Sequence, residues 1–157
     1  MALSLIAQTK EPTRLVVGDP LPKIEFKDQN EESSPLPNEL QKILFISDME
    51  ASKILHPLLE KDGDSTLTSK KAALISDIHR MPSFITRFVA LPKMRSYSYT
   101  IRLIREEGVS DPFPREKGKV TLIGVLDGKV KTISFGDSES AVKDFLESMP
   151  PPAKKQK

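Results

Sequence analysis

The sequence VTLIGVLDGKVKTISF, residues 120–135, contains two apolar stretches separated by the dipeptide Asp127-Gly128. Both positions of an Asp-Gly pair accept the positive φ angles of a type I′ turn, so the pair predicts a tight β-hairpin. Residues 138–149 follow with apolar side chains at helical spacing, which predicts an amphipathic helix. The side chains expected to face inward are Ala141, Val142, Phe145, Leu146 and Met149. The chain is thus predicted to close with strand, turn, strand and helix.

Two short apolar runs lie upstream, at residues 43–46 and 72–76, and each has the length of a strand buried on both faces. An apolar stripe in the segment between them predicts a helix. Ser47 and Glu50, three residues apart, match a capping box at its start. Pro57 predicts a kink in this helix, and Gly63 is expected to stop it. The stripe consists of Ala51, Ile54, Leu55, Leu58 and Leu59.

The rest of the chain holds weaker signals. Residues 24–26 predict a short strand, and the alternation in residues 99–103 predicts a half-exposed one. Pro82 suits the first turn of a helix that Pro92 is expected to end. The predicted inner stripe of that helix is Phe84, Ile85, Phe88 and Val89. Two segments that contain proline and polar residues, 29–38 and 106–118, are predicted to be loops, the first of them at the surface.

The order of these elements predicts an α/β sandwich around a mixed sheet. The unit made by residues 43–76 should be right-handed, so that its two strands are parallel, and the hairpin adds antiparallel strands. We expect one domain over residues 17–149, a flexible segment at 1–16 and a disordered Pro- and Lys-rich tail at 150–157. Residues 1–8 lack a basic start, which favours a frayed N-terminus over the remnant of a signal peptide.

Composition excludes several kinds of chemistry. The 157 residues include no cysteine, which excludes disulfides, thiol nucleophiles and thiolate metal sites. Only two histidines occur, so a histidine-rich metal centre is excluded too. No apolar run reaches the roughly 18 residues of a membrane span. Without the three C-terminal lysines, the chain has 21 basic and 22 acidic residues. The rest of the chain therefore lacks the excess of basic residues that a nucleic-acid binder needs.

Several stretches in the right order resemble the thioredoxin fold. The hairpin and the helix after it are similar to the C-terminal unit of thioredoxins, and residues 55–59, LHPLL, resemble their kinked first helix. Residues 17–22, VGDPLP, are similar to the opening of peroxiredoxin-like proteins. The resemblance covers about residues 17–149. It implies a thioredoxin-like three-layer sandwich, in which helices flank a mixed sheet of about five strands.

The same resemblance locates what the chain lacks. Aligned on Pro57, the sequence Met49-Glu50-Ala51-Ser52 takes the place of the Cys-x-x-Cys motif at the helix N-terminus, where the helix dipole stabilises a thiolate. Val120 takes the place of the cis-proline that precedes a thioredoxin strand. Neither family's activity carries over, and the resemblance implies a redox-inactive relative. Residues 82–105 are more than thioredoxin needs, and we expect them to add an edge strand.

Polar side chains in the first predicted helix are candidates for other chemistry. Ser52 and His56 lie one turn apart and could pair as nucleophile and base, although two solvated surface residues explain the spacing better. Asp48 and Glu50 lie at the helix N-terminus, where negative charge favours a capping role. The alternative is a binding cleft at the place of the missing motifs. Its residues would be Asp48, Met49, Glu50, Ser52 and Val120.

Asp77 and His79 follow the second predicted strand, at the edge of the sheet where ligands often bind in α/β folds. One histidine with a few carboxylates is a poor metal site, and we predict none. A flavodoxin-like FMN site would need a phosphate loop after the first strand, and the two acidic residues of Ser47-Asp48-Met49-Glu50 would repel phosphate. No cofactor is therefore predicted.

The segment at residues 82–105 and the residues just before it combine cations with tyrosines and an apolar stripe. Cations interleaved with Tyr97 and Tyr99 can bind nucleic acid, but solvated surface side chains explain them better. The cations are Arg80, Arg87, Lys93, Arg95, Arg102 and Arg105. The apolar stripe could line a partner groove, although such a stripe is more often core. Its members are Met81, Phe84, Phe88, Leu91 and Met94.

Three functions follow from the sequence. The first is a redox-inactive thioredoxin-like domain that binds a protein or peptide at the cleft around the first helix. The second is an enzyme with non-thiol chemistry that uses Asp48, Ser52, His56, Asp77 or His79. The third is a structural or assembly role of residues 82–105. The first is favoured, and with it a protein that is not an enzyme. The resemblance favours a bacterial protein of the periplasm over the cytoplasm, and the oligomeric state stays open.

Overall fold

The computed structural model describes residues 14–61 and 63–148, and it is built around a mixed sheet of five strands. The strand order is β3-β2-β1-β4-β5. The strands are β1 (Lys42–Ile46), β2 (Ala72–Asp77), β3 (Ile101–Ile104), β4 (Val120–Leu126) and β5 (Lys129–Gly136). Predictions for residues 1–13 and for residues from Met149 onward lie outside the described residues.

The hairpin of β4 and β5 has the predicted turn. Asp127 and Gly128 have φ angles of 52° and 76°, and both are positive, as a type I′ turn requires. Strand β1 pairs in parallel with β2 on one side and antiparallel with β4 on the other. Strand β1 therefore forms the centre of the sheet, and its five residues are all buried. The predicted parallel unit and the position of the hairpin beside it are confirmed.

Strand β3 pairs in parallel with β2 and forms one edge of the sheet, which confirms that the long insertion adds an edge strand. It begins at Ile101, two residues later than the alternation predicts. The strand predicted at residues 24–26 is wrong, because this segment forms no ladder. The next residue, Lys27, makes isolated bridges to Ser33 and Leu103. Phe26 nevertheless packs inward and is buried.

Among the described residues, four α-helical segments lie between the strands and a fifth follows the last strand. Helix α5 begins after Ser138, whose hydroxyl accepts a hydrogen bond from the backbone N–H of Ala141, as the helical pattern predicts. Helix α2 was not predicted, because five of its six residues are polar and only Leu67 is buried. The segments are α1 (Met49–Glu60), α2 (Asp64–Ser69), α3 (Ser83–Ile85), α4 (Leu91–Arg95) and α5 (Glu139–Glu147). Among the described residues, no helix combines the length and apolar character that a membrane crossing needs.

Helix α1 begins one residue later than the capping-box prediction requires. Asp48, with φ −148° and ψ 170°, is the N-cap, and its carboxylate accepts from the backbone N–H of Ala51. The predicted cap by Ser47 is therefore wrong, whereas the predicted capping role of Asp48 is confirmed. Helix α1 contains Pro57 and continues to Glu60. Gly63 follows with a positive φ of 62° and donates to the carbonyl of Leu59, which confirms the predicted stop.

The helix predicted after Pro82 is not a regular α-helix. A π-helical turn, Thr86–Ala90, lies between α3 and α4, and the N–H of Leu91 bonds the carbonyl of Thr86. Pro92 does not end the helix, because it lies in the first turn of α4, where no intrahelical donor is needed. The wider turn also changes which side chains face the core. The predicted inner residues Phe84, Phe88 and Val89 are exposed, and Leu91 is buried instead.

The two faces of the sheet are covered differently. On one face, helical residues such as Leu55, Leu91 and Val142 pack on the strands. On the other face, the core cluster contains strand residues and side chains from irregular segments, including Leu15, Phe26 and Phe113. Within the described residues, the second face therefore has a layer without helices, and α1, α2, α4 and α5 position side chains on the first face.

Candidate functional site

A groove of about 450 Å³ lies at the edge of the sheet where β1 and β2 end. Helix α1 forms one wall, and the helical segment from Ser83 to Arg95 forms the other. The residues directly after β1 and the last residues of β2 lie between these walls. The groove thus occupies the edge of the sheet at which α/β folds commonly bind ligands.

The wall from α1 carries Met49, Ser52 and His56, whose spacing of three and four places them on one face of the helix. Asp48 positions this wall through both of its carboxylate oxygens. Oδ1 accepts from the N–H of Ala51 and Oδ2 from the N–H of Gly118, each at 2.8 Å. The Ser52 hydroxyl donates to the Asp48 carbonyl oxygen at 3.1 Å. Met49 has no such restraint, and its side chain is 64% exposed.

The opposite wall carries Ile85, Val89 and Lys93, each four residues after the one before. Met81 and Tyr97 continue this spacing at the two ends of the segment, and Met94 also lines the groove. The groove is therefore mainly apolar, with the unbranched side chains of three methionines that adapt readily to different shapes. The predicted inner stripe included Ile85 and Val89, and the predicted partner-groove stripe included Met81 and Met94. Both stripes also contained Phe84 and Phe88, which do not line the groove.

A stack of three aromatic rings closes one part of the groove. The ring of His56 lies 4.8 Å from that of Tyr97, and Tyr97 lies 5.0 Å from Tyr99. Burial, and secondly the charge of Lys93, lowers the pKa of His56 to about 4. The Tyr99 hydroxyl, whose own pKa burial raises, lies 2.5 Å from His56 Nδ1. The tyrosine hydroxyl and the neutral imidazole thus share a hydrogen bond.

This hydrogen bond separates the predicted pair of Ser52 and His56. The serine hydroxyl donates to the backbone of Asp48, and the Nδ1 of the histidine is hydrogen-bonded to the Tyr99 hydroxyl. Both residues line the groove, but neither contact activates Ser52 as a nucleophile, since activation needs a base within hydrogen-bond reach of the hydroxyl.

Asp77 and His79 belong to a cluster that anchors the loop between β3 and β4. Asp77 Oδ1 lies 2.6 Å from His79 Nδ1, and Oδ2 accepts from Ser110 and from Arg115. Burial alone would raise the pKa of Asp77, but hydrogen bonds from Ser110 and His79 outweigh it and lower the pKa. Arg115 also stacks over the ring of Phe45 at 5.0 Å. Within the described residues, no group of three or more His, Asp and Glu side chains is arranged to hold a metal ion.

The six cations of the predicted basic segment divide into two sets. Arg95 donates to the carbonyl of Gln29, Arg102 to the carbonyls of Ser34 and Pro35, and Arg105 to the carboxylate of Glu31. These three cations hold the loop at residues 29–35 against the sheet edge. Within the part of the chain that the structure describes, the side chains of the other three make no hydrogen bond and no ion pair. They are Arg80, Arg87 and Lys93.

Gln29 is a structural residue that the sequence analysis assigned to a surface loop. Its side chain is buried, and its amide donates to the carbonyls of Tyr99 at 2.7 Å and Met94 at 3.3 Å. Its Oε1 accepts from the N–H of Ile101 at 2.9 Å. A single polar side chain thereby fixes the start of β3 and the end of α4, and both elements position Tyr97 and Tyr99.

Comparison with solved structures shows which fold this arrangement represents. An uncharacterized conserved protein from Geobacillus kaustophilus superimposes with a TM-score of 0.58 at 12% identity, covering 91% of this chain and 88% of that one. A thio-disulfide isomerase from Thermus thermophilus gives 0.54 at 22% identity, with 84% and 95% covered. Peroxidoxin BcpB from Mycobacterium tuberculosis gives 0.52 at 14%, with 85% and 95% covered. The chain has the thioredoxin-like fold.

The comparisons go no further than the fold. No protein-family model matches the chain, and no curated protein matches its sequence. At these identities, the activities named for the solved structures belong to those proteins. What this thioredoxin-like chain lacks is cysteine, so its α1 N-terminus has no thiol through which to exchange disulfides.

The thioredoxin-like frame places most of the predicted site residues together. Met49 begins α1, as the alignment on Pro57 expects, and the groove opens beside it. The predicted residues that line the groove are Asp48, Met49, Ser52, His56 and Asp77. Glu50 and His79 do not line it, and Val120 is fully buried in the core at the start of β4. Among the described residues no peptide bond is cis, so Val120 follows a trans bond.

Proposed function

We propose that this protein is a redox-inactive thioredoxin-like domain that binds a protein or peptide segment in the groove beside α1. The observation that carries the proposal is a mainly apolar groove of about 450 Å³ with exposed side chains on both walls. Met49 and Val89 stand on the two walls and are 64% and 56% exposed. Large apolar side chains that stay exposed around a concave surface are typical of ligand and peptide sites.

Polar side chains around the groove make internal hydrogen bonds, which favours a ligand bound by apolar contacts and shape complementarity rather than by polar groups. Asp48 and Ser52 use their side-chain oxygens to hold the backbone of α1 and the loop before β4. His56 is neutral and bonded to Tyr99. These groups form a rigid polar floor of the groove. Met49, Met81 and Met94 supply the adaptable surface, as in other sites that accept more than one apolar side chain.

A binding role has more support than an enzyme built on the same residues. A nucleophilic serine needs its hydroxyl bonded to a base, and the hydroxyl of Ser52 donates to the Asp48 carbonyl oxygen. A general base at His56 would need a free ring nitrogen with a pKa near neutrality, whereas the pKa of His56 is lowered to about 4.

Peptide selection tests the proposed function without knowledge of the natural partner. The full chain, immobilised, is used to select peptides from a displayed random library, and selected peptides are synthesised with a fluorophore for anisotropy titration. We expect peptides with apolar anchors, and an affinity that falls at least tenfold in M49D, because a carboxylate would have to be desolvated in the groove.

Val17→Asp is the matched control, since Val17 is also exposed but lies away from the groove. It should leave peptide affinity within twofold of the unmodified chain. The proposal is wrong if no peptide is selected, or if the selected peptides bind the Met49 and Val17 variants equally well.

A further inference from the structure

A second surface begins at one wall of the groove, continues beyond it, and has properties that peptide binding does not explain. Phe84 and Phe88 are 64% and 71% exposed and lie four residues apart, with the exposed Arg87 between them. None of these three residues lines the groove. Val89, 56% exposed, joins this surface to the groove wall, where Arg80 and Lys93 also lie. We call Phe84, Arg87, Phe88, Val89, Arg80 and Lys93 the aromatic–cationic face.

The π-helical turn is the reason that this face exists. A regular helix from Ser83 to Arg95 would distribute its apolar residues on a 3.6-residue period. The widened turn at Thr86–Ala90 instead directs Leu91 into the core and leaves Phe84 and Phe88 in solvent. Such turns are rare and occur frequently at functional sites. Two phenylalanines that no core residue covers therefore remain as an unpartnered apolar surface.

The charge around the phenylalanines is of one sign. From residue 78 to residue 105 the chain has six Lys and Arg and no Asp or Glu. The whole chain has 24 basic and 22 acidic residues, so outside this segment 18 basic residues stand against 22 acidic ones. The positive charge is thus concentrated here. Arg80, Arg87 and Lys93 have no anionic partner among the described residues, so they are available to pair with an external anion.

We propose that the aromatic–cationic face docks on the surface of an anionic membrane. A lipid bilayer supplies an apolar layer for Phe84, Phe88 and Val89 and a sheet of negative headgroups for the three cations, in the same orientation. A peptide ligand would instead need a concave site, and Phe84 and Phe88 lie outside the groove. Interfacial helices that combine Lys and Arg with Phe or Leu bind membranes in this way, by buried apolar area together with attraction to anionic lipids.

Vesicle sedimentation tests the proposal with defined lipids. The full chain is mixed with vesicles of phosphatidylcholine alone or with 30% phosphatidylglycerol, at low and at high salt. The three lysines at positions 154, 155 and 157 also attract anionic lipid, so all variants are made in a background in which they are glutamine. We expect binding to the anionic vesicles at low salt, weak binding to neutral vesicles, and loss of binding at high salt.

Substitutions then test whether the aromatic–cationic face is responsible for vesicle binding. F84S/F88S should lower the partition coefficient at least tenfold, and R87E by roughly tenfold, as expected for reversing one basic charge near an anionic surface. V17S and K143E are the matched controls, since they change an exposed valine and an exposed lysine elsewhere and should alter binding less than twofold. All five altered side chains are exposed, so the variants should fold, which a circular dichroism melt checks.

A fluorescence experiment distinguishes insertion from simple charge attraction. The chain contains no tryptophan, so F88W reports from one position only. Its emission should shift to the blue on anionic vesicles and stay unchanged with soluble glycerol phosphate, whereas V17W should not shift on either. The proposal is overturned if the chain fails to bind anionic vesicles, or if F84S/F88S binds them as well as the parent. It is also overturned if a groove-selected peptide protects F88W while vesicles do not, because the face then belongs to the peptide site.

Discussion

Asp48 and Gly118 are 70 residues apart in sequence and joined by a hydrogen bond of 2.8 Å, from the glycine N–H to the second carboxylate oxygen of the aspartate. The first oxygen caps α1 at Ala51. A single carboxylate therefore fixes the first turn of α1 against the loop that leads into β4. In the thioredoxin-like frame this is the place where a redox protein would carry its reactive motif, and here the residues hold each other instead.

Replacing Asp48 should separate these two contacts. D48A loses the cap and the link to Gly118, and we expect it to lower the free energy of unfolding by about 2 kcal/mol. D48N keeps an oxygen for the cap but presents an NH₂ group to the Gly118 N–H, so its loss should be smaller. Urea unfolding measures both. S138A removes only a cap, at α5, and should cost about 1 kcal/mol; an equal loss in D48A and S138A would contradict a role for the link.

His56 predicts a pH dependence of stability. Its pKa is about 4 in the folded protein and near 6.5 in the unfolded chain, so the unfolded chain takes up the proton first as the pH falls. The stability that neutral His56 provides is present above pH 6.5 and is lost as the pH falls toward 4. Between pH 7 and 4.5 the protein should lose on the order of 2 kcal/mol more than H56Q, measured by urea unfolding. If the free energy of unfolding changed equally with pH in the two proteins, protonation of His56 would have no effect on stability.

Gln29 is expected to be the most sensitive polar residue of the long loop. Q29M keeps the length of the side chain but leaves the N–H of Ile101 and the carbonyl of Tyr99 without this partner. We expect a loss of about 2–3 kcal/mol in the free energy of unfolding. Q41M is the control, because Gln41 is less buried and bonds its neighbours through the backbone, and it should change stability by less than about 0.5 kcal/mol. Similar losses in both variants would remove the proposed role of the buried amide.

The π-helical turn can be checked by two alanine substitutions in the same segment. L91A should lower the free energy of unfolding by about 2–4 kcal/mol, because Leu91 is buried in the core on the helix-covered face of the sheet. F88A should change the free energy of unfolding by less than about 0.5 kcal/mol, because its ring is exposed. The reverse order, with Phe88 the costlier residue, would mean that the segment is a regular helix with the stripe that the sequence predicts.

The parts of the fold that could be predicted are those with a local cause. Asp127-Gly128 determines its own backbone angles, and continuous apolar runs at β1 and β2 identify strands buried on both faces. The order of the elements then implies the thioredoxin-like sheet. The N-cap was misassigned because a capping pattern cannot show that Asp48 has a second partner, 70 residues away, that Ser47 lacks.

The candidate site was only partly predictable. Met49, Ser52 and His56 were named because a helix period places them on one face at the strand ends. The opposite wall was missed in part, because one extra residue in the turn at Thr86–Ala90 shifts every later side chain around the helix axis. An argument from sequence periodicity assumes a constant number of residues per helical turn. The residues of this segment carry no pattern that predicts the wider turn. Gln29 was missed because its partners are backbone groups of α4, of β3 and of the link between them, all distant in sequence.

The core layer without helices affects the order in which parts of the protein can fold during synthesis. Leu15 bonds Pro112, Gly18 bonds the carbonyl of Val130, and Phe26 shares its cluster with Phe113. Leu15, Gly18 and Phe26 therefore gain these partners only after roughly 90 to 110 later residues have been synthesised. Contacts of such long sequence separation form slowly. We expect the segment that holds these three residues to dock on the sheet late in folding.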